Sequence, residues 1–421
     1  MRRHAFHGIH AARYPRALLL LLCVGACSGD PDEERRDSSP ALTPDASNLG
    51  SDAGEPGDAL DVAHVPPAGA FSGTGSLILQ GGVTIDTDNL TVDGQTYAGG
   101  PGDDIVFDVW EQALPGPELA VLHVYDFGVK DGTVTVSGSR PLVIIAGNEI
   151  RLAGMIEAAA RGTQAGPGGF GSALGPGAGS PGQHAGQGQD GGGGGGGHGS
   201  AGAMGGSGVC VDGVCGTGGN GGAAFGTSDL QVLQGGAGGG TGSSLALTPD
   251  CVPAPGGGGG GAVQLTAMDR IRIDAGGGVH AGGGGGRGGA FAGACNDNGA
   301  GGGGGAGGAI FLQAPAIEHR GVLAANGGGG GSGASGSQFP GSNGLASDQP
   351  APGGQEAASV AFAGGCGFAR ADTGCSHEGG SGDGNGGGGG GGVGRIVVVT
   401  APNSYDDDDS ITSPAANIST R

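Results

Sequence analysis

Of the eight cysteines in this chain of 421 residues, Cys210, Cys215, Cys251, Cys295, Cys366 and Cys375 lie beyond the N-terminal segment. An even set reads as disulfides where a chain meets an oxidising compartment. The phrase Cys210-Val-Asp-Gly-Val-Cys215 is the most specific: Asp212-Gly213 suits a two-residue type I′ turn, which would pair Val211 with Val214 and set the cysteines opposite each other at a non-hydrogen-bonded site. Cys251 and Cys295 flank one apolar segment, and Cys366 and Cys375 a short loop, so these are the expected partners, with other connectivities left open. A zinc site drawing on His198, His280 or His377 finds no supporting spacing.

Other residue types carry weaker chemistry. Arg151, Arg272, Asp274, Glu318 and Arg320 are the groups a carbohydrate-active site would gather. They are not expected to align column by column, and read as solvated charges on outer faces, so no catalytic residue is assigned. A phosphate-binding loop needs Gly-Lys-(Ser/Thr), and the only lysine, Lys130, follows Val129. His377-Glu378 does not extend to a zinc-protease motif. The stretch Gly99-Gly100-Pro101-Gly102-Asp103-Asp104-Ile105-Val106-Phe107 resembles one nonapeptide of the calcium-binding RTX repeat, in which the ion sits between successive copies. The copy is solitary, so Asp103 and Asp104 are weak calcium candidates and an ordinary turn is the simpler reading. Asp86, Asp88, Asp93 and the run Asp406–Asp409 read likewise as solvated acid. No cofactor is otherwise expected.

The elements that must position these residues recur as cassettes. Leu142, Ile144 and Ala146 match Val263, Leu265 and Ala267, then Ile310, Leu312 and Ala314, then Val397, Val399 and Ala401. This period of two predicts strands. A second strand follows, with Ile150 and Leu152, Ile271 and Ile273, or Ile317, and then Gly-x-(Ile/Val/Leu)-x-Ala around Ile156, Val279 and Leu323; the fourth copy keeps only its first strand. Copies that bury little alone are expected to stack. The expected fold is therefore all-β, a right-handed parallel β-helix or solenoid with long glycine-rich loop insertions. The anchoring alanines lie 121, 47 and 87 residues apart, so the insertions vary. Solenoids of this kind often carry polysaccharide lyases or hydrolases.

Glycine supplies 110 residues, and aromatics only 4%. Collagen is excluded: between Gly166 and Gly188 the glycine intervals run 2, 1, 2, 4, 2, 2, 3, 4, 2, without a period of three. The same intervals weaken a regular ice-binding array. Ordering so much glycine is costly, so the runs are either mobile or held by their own dense backbone hydrogen bonding, as packed polyproline-II strands would be.

At the N-terminus, Arg2, Arg3, Arg13 and Arg16 precede the apolar run Ala17–Ala26 and then Cys27, the layout of an export signal. Val24-Gly25-Ala26-Cys27 resembles the lipobox of bacterial lipoproteins. That resemblance implies acylation of Cys27 after removal of residues 1–26, and Ser28 in the next position implies sorting to the outer membrane. Processing leaves 13 bases against 39 acids, a net charge of −26, which argues against nucleic acid or anionic lipid as partner.

Residues 27–70, acidic and proline-bearing, read as a disordered tether. Residues 71–141 read as an N-terminal β region or cap, 142–402 as the glycine-rich solenoid and 403–421 as an acidic C-terminal tail. With the lipobox, the tether, the phrase Ser139-Arg140-Pro141-Leu142-Val143-Ile144-Ile145-Ala146 and the recurring cassettes, the chain resembles glycine-rich surface lipoproteins of high-GC Gram-negative bacteria. Its composition is also similar to that of mycobacterial glycine-rich surface proteins, without their N-terminal helical module. The resemblance implies a protein lipid-anchored to the outer membrane or cell surface, non-enzymatic, with a structural or adhesive role and polysaccharide or other surface proteins as partners. The alternatives are a polysaccharide lyase or hydrolase, and a calcium- or ice-binding surface protein.

Overall fold

The computed structural model describes residues 61–112, 114–186, 189–244, 252–289, 299–334, 339–355, 363–370, 375–381 and 384–421. Gly57–Arg421 forms one compact unit, nearly all β.

Three sheets carry the strands. Sheet I runs β1 (Leu77–Leu79), β7 (Phe127–Val129), β10 (Glu149–Leu152), β15 (Arg270–Ile273), β18 (Ala316–His319) and β21 (Tyr405–Asp406), and all its pairs are parallel. Sheet II runs β22 (Ile411–Ser413), β19 (Val322–Ala324), β16 (Gly278–His280), β11 (Met155–Glu157), β8 (Thr133–Ser137), β2 (Thr84–Asp86), β3 (Thr91–Val92) and β4 (Gln95–Thr96), the last three antiparallel to one another. Sheet III runs β23 (Asn417–Thr420), β20 (Arg395–Thr400), β17 (Ala309–Gln313), β14 (Ala262–Ala267), β9 (Leu142–Ala146), β6 (Leu119–Val124) and β5 (Val106–Trp110), the last antiparallel to its neighbour. A separate hairpin joins β12 (Cys210–Val211) to β13 (Val214–Cys215).

The cassettes are neighbours in space. Val263 pairs with Leu142 and with Ile310, Ile271 with Ile150 and Ile317, and Val279 with Ile156 and Leu323. Their side chains meet in one buried core between the three sheets. The fourth copy differs from the expected alignment by one residue: Ile396 and Val398 face Ile310 and Leu312, while Val397 and Val399 oppose Phe311 and Gln313. A one-residue slip exchanges the faces of a strand. In the run Ile396-Val397-Val398-Val399 either register offers apolar residues to both faces. The fourth copy also continues beyond its first strand, because residues 403–421 supply β21, β22 and β23 at the end of each sheet.

The central strands β9, β14 and β17 of sheet III are buried on both faces, β9 being apolar throughout and β14 and β17 interrupted only by Gln264, Thr266 and Gln313. Its outer side chains Val121, Val143, Ile145, Phe311, Val397 and Val399 form a second cluster, covered by Val62, Val65 and Ala70 of a strap over residues 61–70 and by Leu230 and Leu233.

The expected β-helix with glycine loops expelled from it is not what forms. The strands assemble into large sheets, two of them mixed, and the glycine runs are a buried part of the molecule. In the run Gly191–Gly197 every backbone N–H is donated to another segment, with a period of three. Gly191, Gly194 and Gly197 donate to Gln183, Ser180 and Gly177 (2.8–3.0 Å); Gly192 and Gly195 to Gly206 and Ala203 (2.8 Å); Gly193 and Gly196 to Gly301 and Gly304 (2.9 Å).

In the directions between these bonds, a Cβ on Gly191 or Gly194 would strike Thr217 or Asn220. On Gly192 or Gly195 it would strike Gly387 or Gly390, and on Gly193 or Gly196 it would strike Gly240 or Ala237. Each run therefore sits among neighbours on all sides. Three residues per turn with no internal hydrogen bonds is the polyproline-II geometry, so packed polyproline-II segments, one of the two states the composition allowed, are the state observed. Only glycine fits where a neighbouring carbonyl occupies the place of a side chain.

These segments leave the ends of β11, β16 and β19, run out and back, and return into β14, β17 and β20. A ten-residue segment of this kind reaches about 30 Å. The resulting slab stands out from the sheets, and its segments are tied to one another at their outer ends: Val209 N donates to Gly384 O, Ala300 N to Ser243 O, and Ala334 N to Gly299 O.

Candidate functional site

The outer face of sheet I gathers the charged residues singled out in the sequence. Contrary to expectation they do align: Arg151, Arg272, Glu318 and Asp406 are successive register partners across β10, β15, β18 and β21. Alternation on a half-exposed sheet produces this, since the flanking Ile150 and Leu152, Ile271 and Ile273 all point inward. The signal was therefore present: aligning the isoleucines aligns the residues between them.

Along the column the charges are paired. Asp274, in the next column, accepts from Arg151 Nε (2.9 Å) and Arg272 Nε (2.8 Å), and Glu318 lies 3.9 Å from Arg272 Nε. Arg320 Nη1 donates to Asp406 Oδ1 (2.7 Å), and its Nη2 to Asp406 Oδ2. Partial burial alone would raise the Asp274 carboxyl, but hydrogen bonds and charge from Arg151 and Arg272 outweigh it and hold it below the usual carboxylate range. Arg320 does the same to Asp406. A general acid needs a pKa raised towards neutrality, and this face pushes both carboxyls the other way.

At the β7–β10 end of this face is a hollow of about 440 Å³ lined by Ile78, Gly128, Val129, Lys130, Arg151 and Ala153. Sequence reasoning passed over Ile78, Gly128 and Ala153, whose small or apolar side chains carry no chemical signature.

The remaining candidates are dispersed. Asp103 Oδ2 accepts from Gly100 N (2.8 Å) and serves its own turn, while Asp104 Oδ1 accepts from Thr74 Oγ1 (3.0 Å) and ties the turn to a distant segment. Asp86 accepts from Asp88 N and Asn89 N (2.9 Å each), and Asp88 from Ser139 N and Oγ. Among the described residues no group of three or more His, Cys, Asp or Glu could hold a metal ion. Each zinc-candidate ring has a different partner: His198 Nδ1 donates to Gly307 O (3.0 Å), His280 Nδ1 to Glu157 (3.0 Å), and His377 Nδ1 to Cys366 O (2.9 Å).

Cys210 and Cys215 are cross-strand partners at disulfide distance, with Val211 opposite Val214 and the turn residues Asp212 and Gly213 at φ 52° and 82°, as a type I′ turn requires. Cys366 and Cys375 are likewise at disulfide distance. Cys27, Cys251 and Cys295 lie outside the described residues, as do the signal segment and most of the tether.

At the slab's far end, His184 Nδ1 and Ser243 Oγ both donate to the buried Asp190 Oδ1 (2.8 and 2.9 Å). Neither bond joins the serine to the histidine, so this is a clamp on the slab's end rather than a nucleophile and its base.

No known protein family, curated protein or solved structure matches this chain.

Proposed function

We propose that this chain is a lipid-anchored envelope protein of a Gram-negative bacterium, non-enzymatic, whose folded body serves a structural or adhesive display role at the outer membrane or cell surface. The observation that carries the reading is the slab: a hydrogen-bonded stem whose segments are tied together at the far end, with the hairpin of Cys210 and Cys215 exposing Val211 and Val214 there. Turns on a rigid support are where binding residues concentrate. The anchoring half of the reading rests on the lipobox at Cys27, and two or three acyl chains hold stably where one does not.

Two measurements test it. Labelled palmitate should enter the wild-type protein and not Cys27→Ala, which should shift from the membrane to the soluble fraction. Cells lacking the protein should lose adherence to a glycan or cell surface, and restoration requires the intact hairpin at residues 210–215. Unlabelled wild-type protein removes the anchor, and unchanged adherence removes the display role.

One observation favours a second reading, an enzyme acting on polysaccharide: arginines and carboxylates share one solvent-facing column on sheet I. Chain shortening of a glycan that disappears in Glu318→Gln would establish it in place of the first.

A further inference from the structure

On the outer face of sheet I, Gly128 and Lys130 on β7 and its following residue stand beside Arg151 and Ala153 on β10 and its following residue. Gly128 pairs with Arg151, and Ala153 N donates to Val129 O. In this cell of four positions the two cations occupy one diagonal and the two smallest side chains the other. The 440 Å³ hollow opens beside Gly128 and Ala153, whose small side chains leave room for it. Ile78, the partner of Gly128 on β1, is 46% exposed and lies across the glycine, where a Cβ would come within 3.0 Å of Ile78 Cδ1. The floor is apolar and two walls are cationic.

The cations are not fully neutralised. Lys130, the chain's only lysine, makes no side-chain hydrogen bond or ion pair among the described residues. Arg151 presents Nε and Nη2 to Asp274, a carboxylate it shares with Arg272, which also has Glu318 at 3.9 Å. Of the other nearby carboxylates, Asp131 accepts from Gly81 N (3.2 Å), and Glu149, two residues before Arg151 on the same face of β10, is the register partner of Arg270 on β15. The chain's overall negative charge acts weakly at this spot, because at physiological salt exposed charges more than about 8 Å apart are screened.

We propose that this hollow is a binding site for an acidic sugar residue, its carboxylate or sulfate held between Lys130 and Arg151 and its C–H face resting on Ile78 over Gly128. The proposal rests on the adhesive reading above and names its ligand class. A pyranose ring and one strand spacing of about 4.8 Å are of similar length, so the next acidic unit of a chain would meet Arg272 one strand pair further on.

The test is calorimetry and saturation-transfer NMR on the full-length chain with glucuronate, glucose 6-sulfate, glucose and inorganic sulfate. Glucuronate or glucose 6-sulfate should bind, which separates the carboxylate source from the sulfate source, and glucose should not. Lys130→Gln and Arg151→Gln should each weaken binding at least tenfold. Ala153→Leu, which projects into the hollow without altering charge, should abolish it while the melting temperature holds. Binding that survives Ala153→Leu, equal binding of inorganic sulfate, or no binding of either acidic sugar to the wild type overturns the site. Palmitate labelling and adherence decide the anchor and display role separately, so failure here leaves that reading standing.

Discussion

Gly303 shows what the composition is for at the scale of one residue. Its N–H donates to Gly240 O (2.9 Å), and a Cβ on it would collide with the Gly194 carbonyl. Backbone cannot step aside as a flexible side chain can, so Gly303→Ala should lower stability by about 3 kcal/mol or more, measured by denaturant unfolding. Gly100, with nothing within 4 Å of its built Cβ, is the control, and Gly100→Ala should stay within about 0.5 kcal/mol of the wild type.

Two histidines carry a pH dependence at the same scale. Burial lowers His198 to about 4, against a hydrogen bond to Gly307 that favours its charged form, and burial likewise lowers His319 to about 4, against the charge of Asp407. Between about 6.5 and 4 the unfolded chain therefore binds protons that the folded chain does not. Stability is complete above pH 6.5 and falls as pH drops through that window, by on the order of 3 kcal/mol for each histidine at pH 4. Melting temperatures from pH 7 to 4.5 should decline, and His198→Phe should flatten the curve.

At the scale of elements, the strap over residues 61–70 is held by side chains that stand in for a missing strand. Gln313 Nε2 donates to Asp61 O (2.6 Å) while its Oε1 accepts from Ala63 N (3.0 Å), and Gln264 Nε2 donates to Ala63 O (2.9 Å). Gln264 and Gln313 lie on the buried outer face of sheet III, where an unpaired amide is costly. Gln313→Ala should therefore release the strap's start and speed exchange of the Ala63 amide at least tenfold, with global melting little changed. Equal exchange would show that Val62 and Val65 alone hold it.

This is also the scale at which sequence legibility changes. Strand positions could be read from the alternation of Ile150 with Leu152 or Ile271 with Ile273, because side-chain period is a local property. The slip at Val397 could not, because four consecutive apolar residues satisfy both faces and the neighbour, Phe311 or Ile310, makes the choice.

For the whole molecule, slab and sheets form one unit. Hydrogen exchange should find the amides of Gly192–Gly196 and Gly302–Gly305 protected as strongly as those of Ile144 and Leu265, since all are buried and bonded. Thermal unfolding should be a single transition detected equally by strand and polyproline-II signals. Fast exchange in the glycine runs would mean that the slab opens independently, and a stem of that kind would not hold the Cys210–Cys215 hairpin in a fixed position.

Without fixing the register of the fourth copy or the strands of residues 403–421, the sequence alone determined the strands of the first three cassettes, the equivalence of those cassettes, and the hairpin closed by Asp212-Gly213. Each of these follows from local periodicity or turn chemistry. It also left a choice over the glycine, between mobile loops and packed polyproline-II. Tertiary structure decided that choice, because oligoglycine carries no side chain to mark a face and its three-residue period exists only in the carbonyls that surround it. The same holds for the hollow at Lys130 and Arg151. What makes it a cavity is the absence of side chains at Gly128 and Ala153, and an absence becomes visible only when β7 and β10 lie side by side.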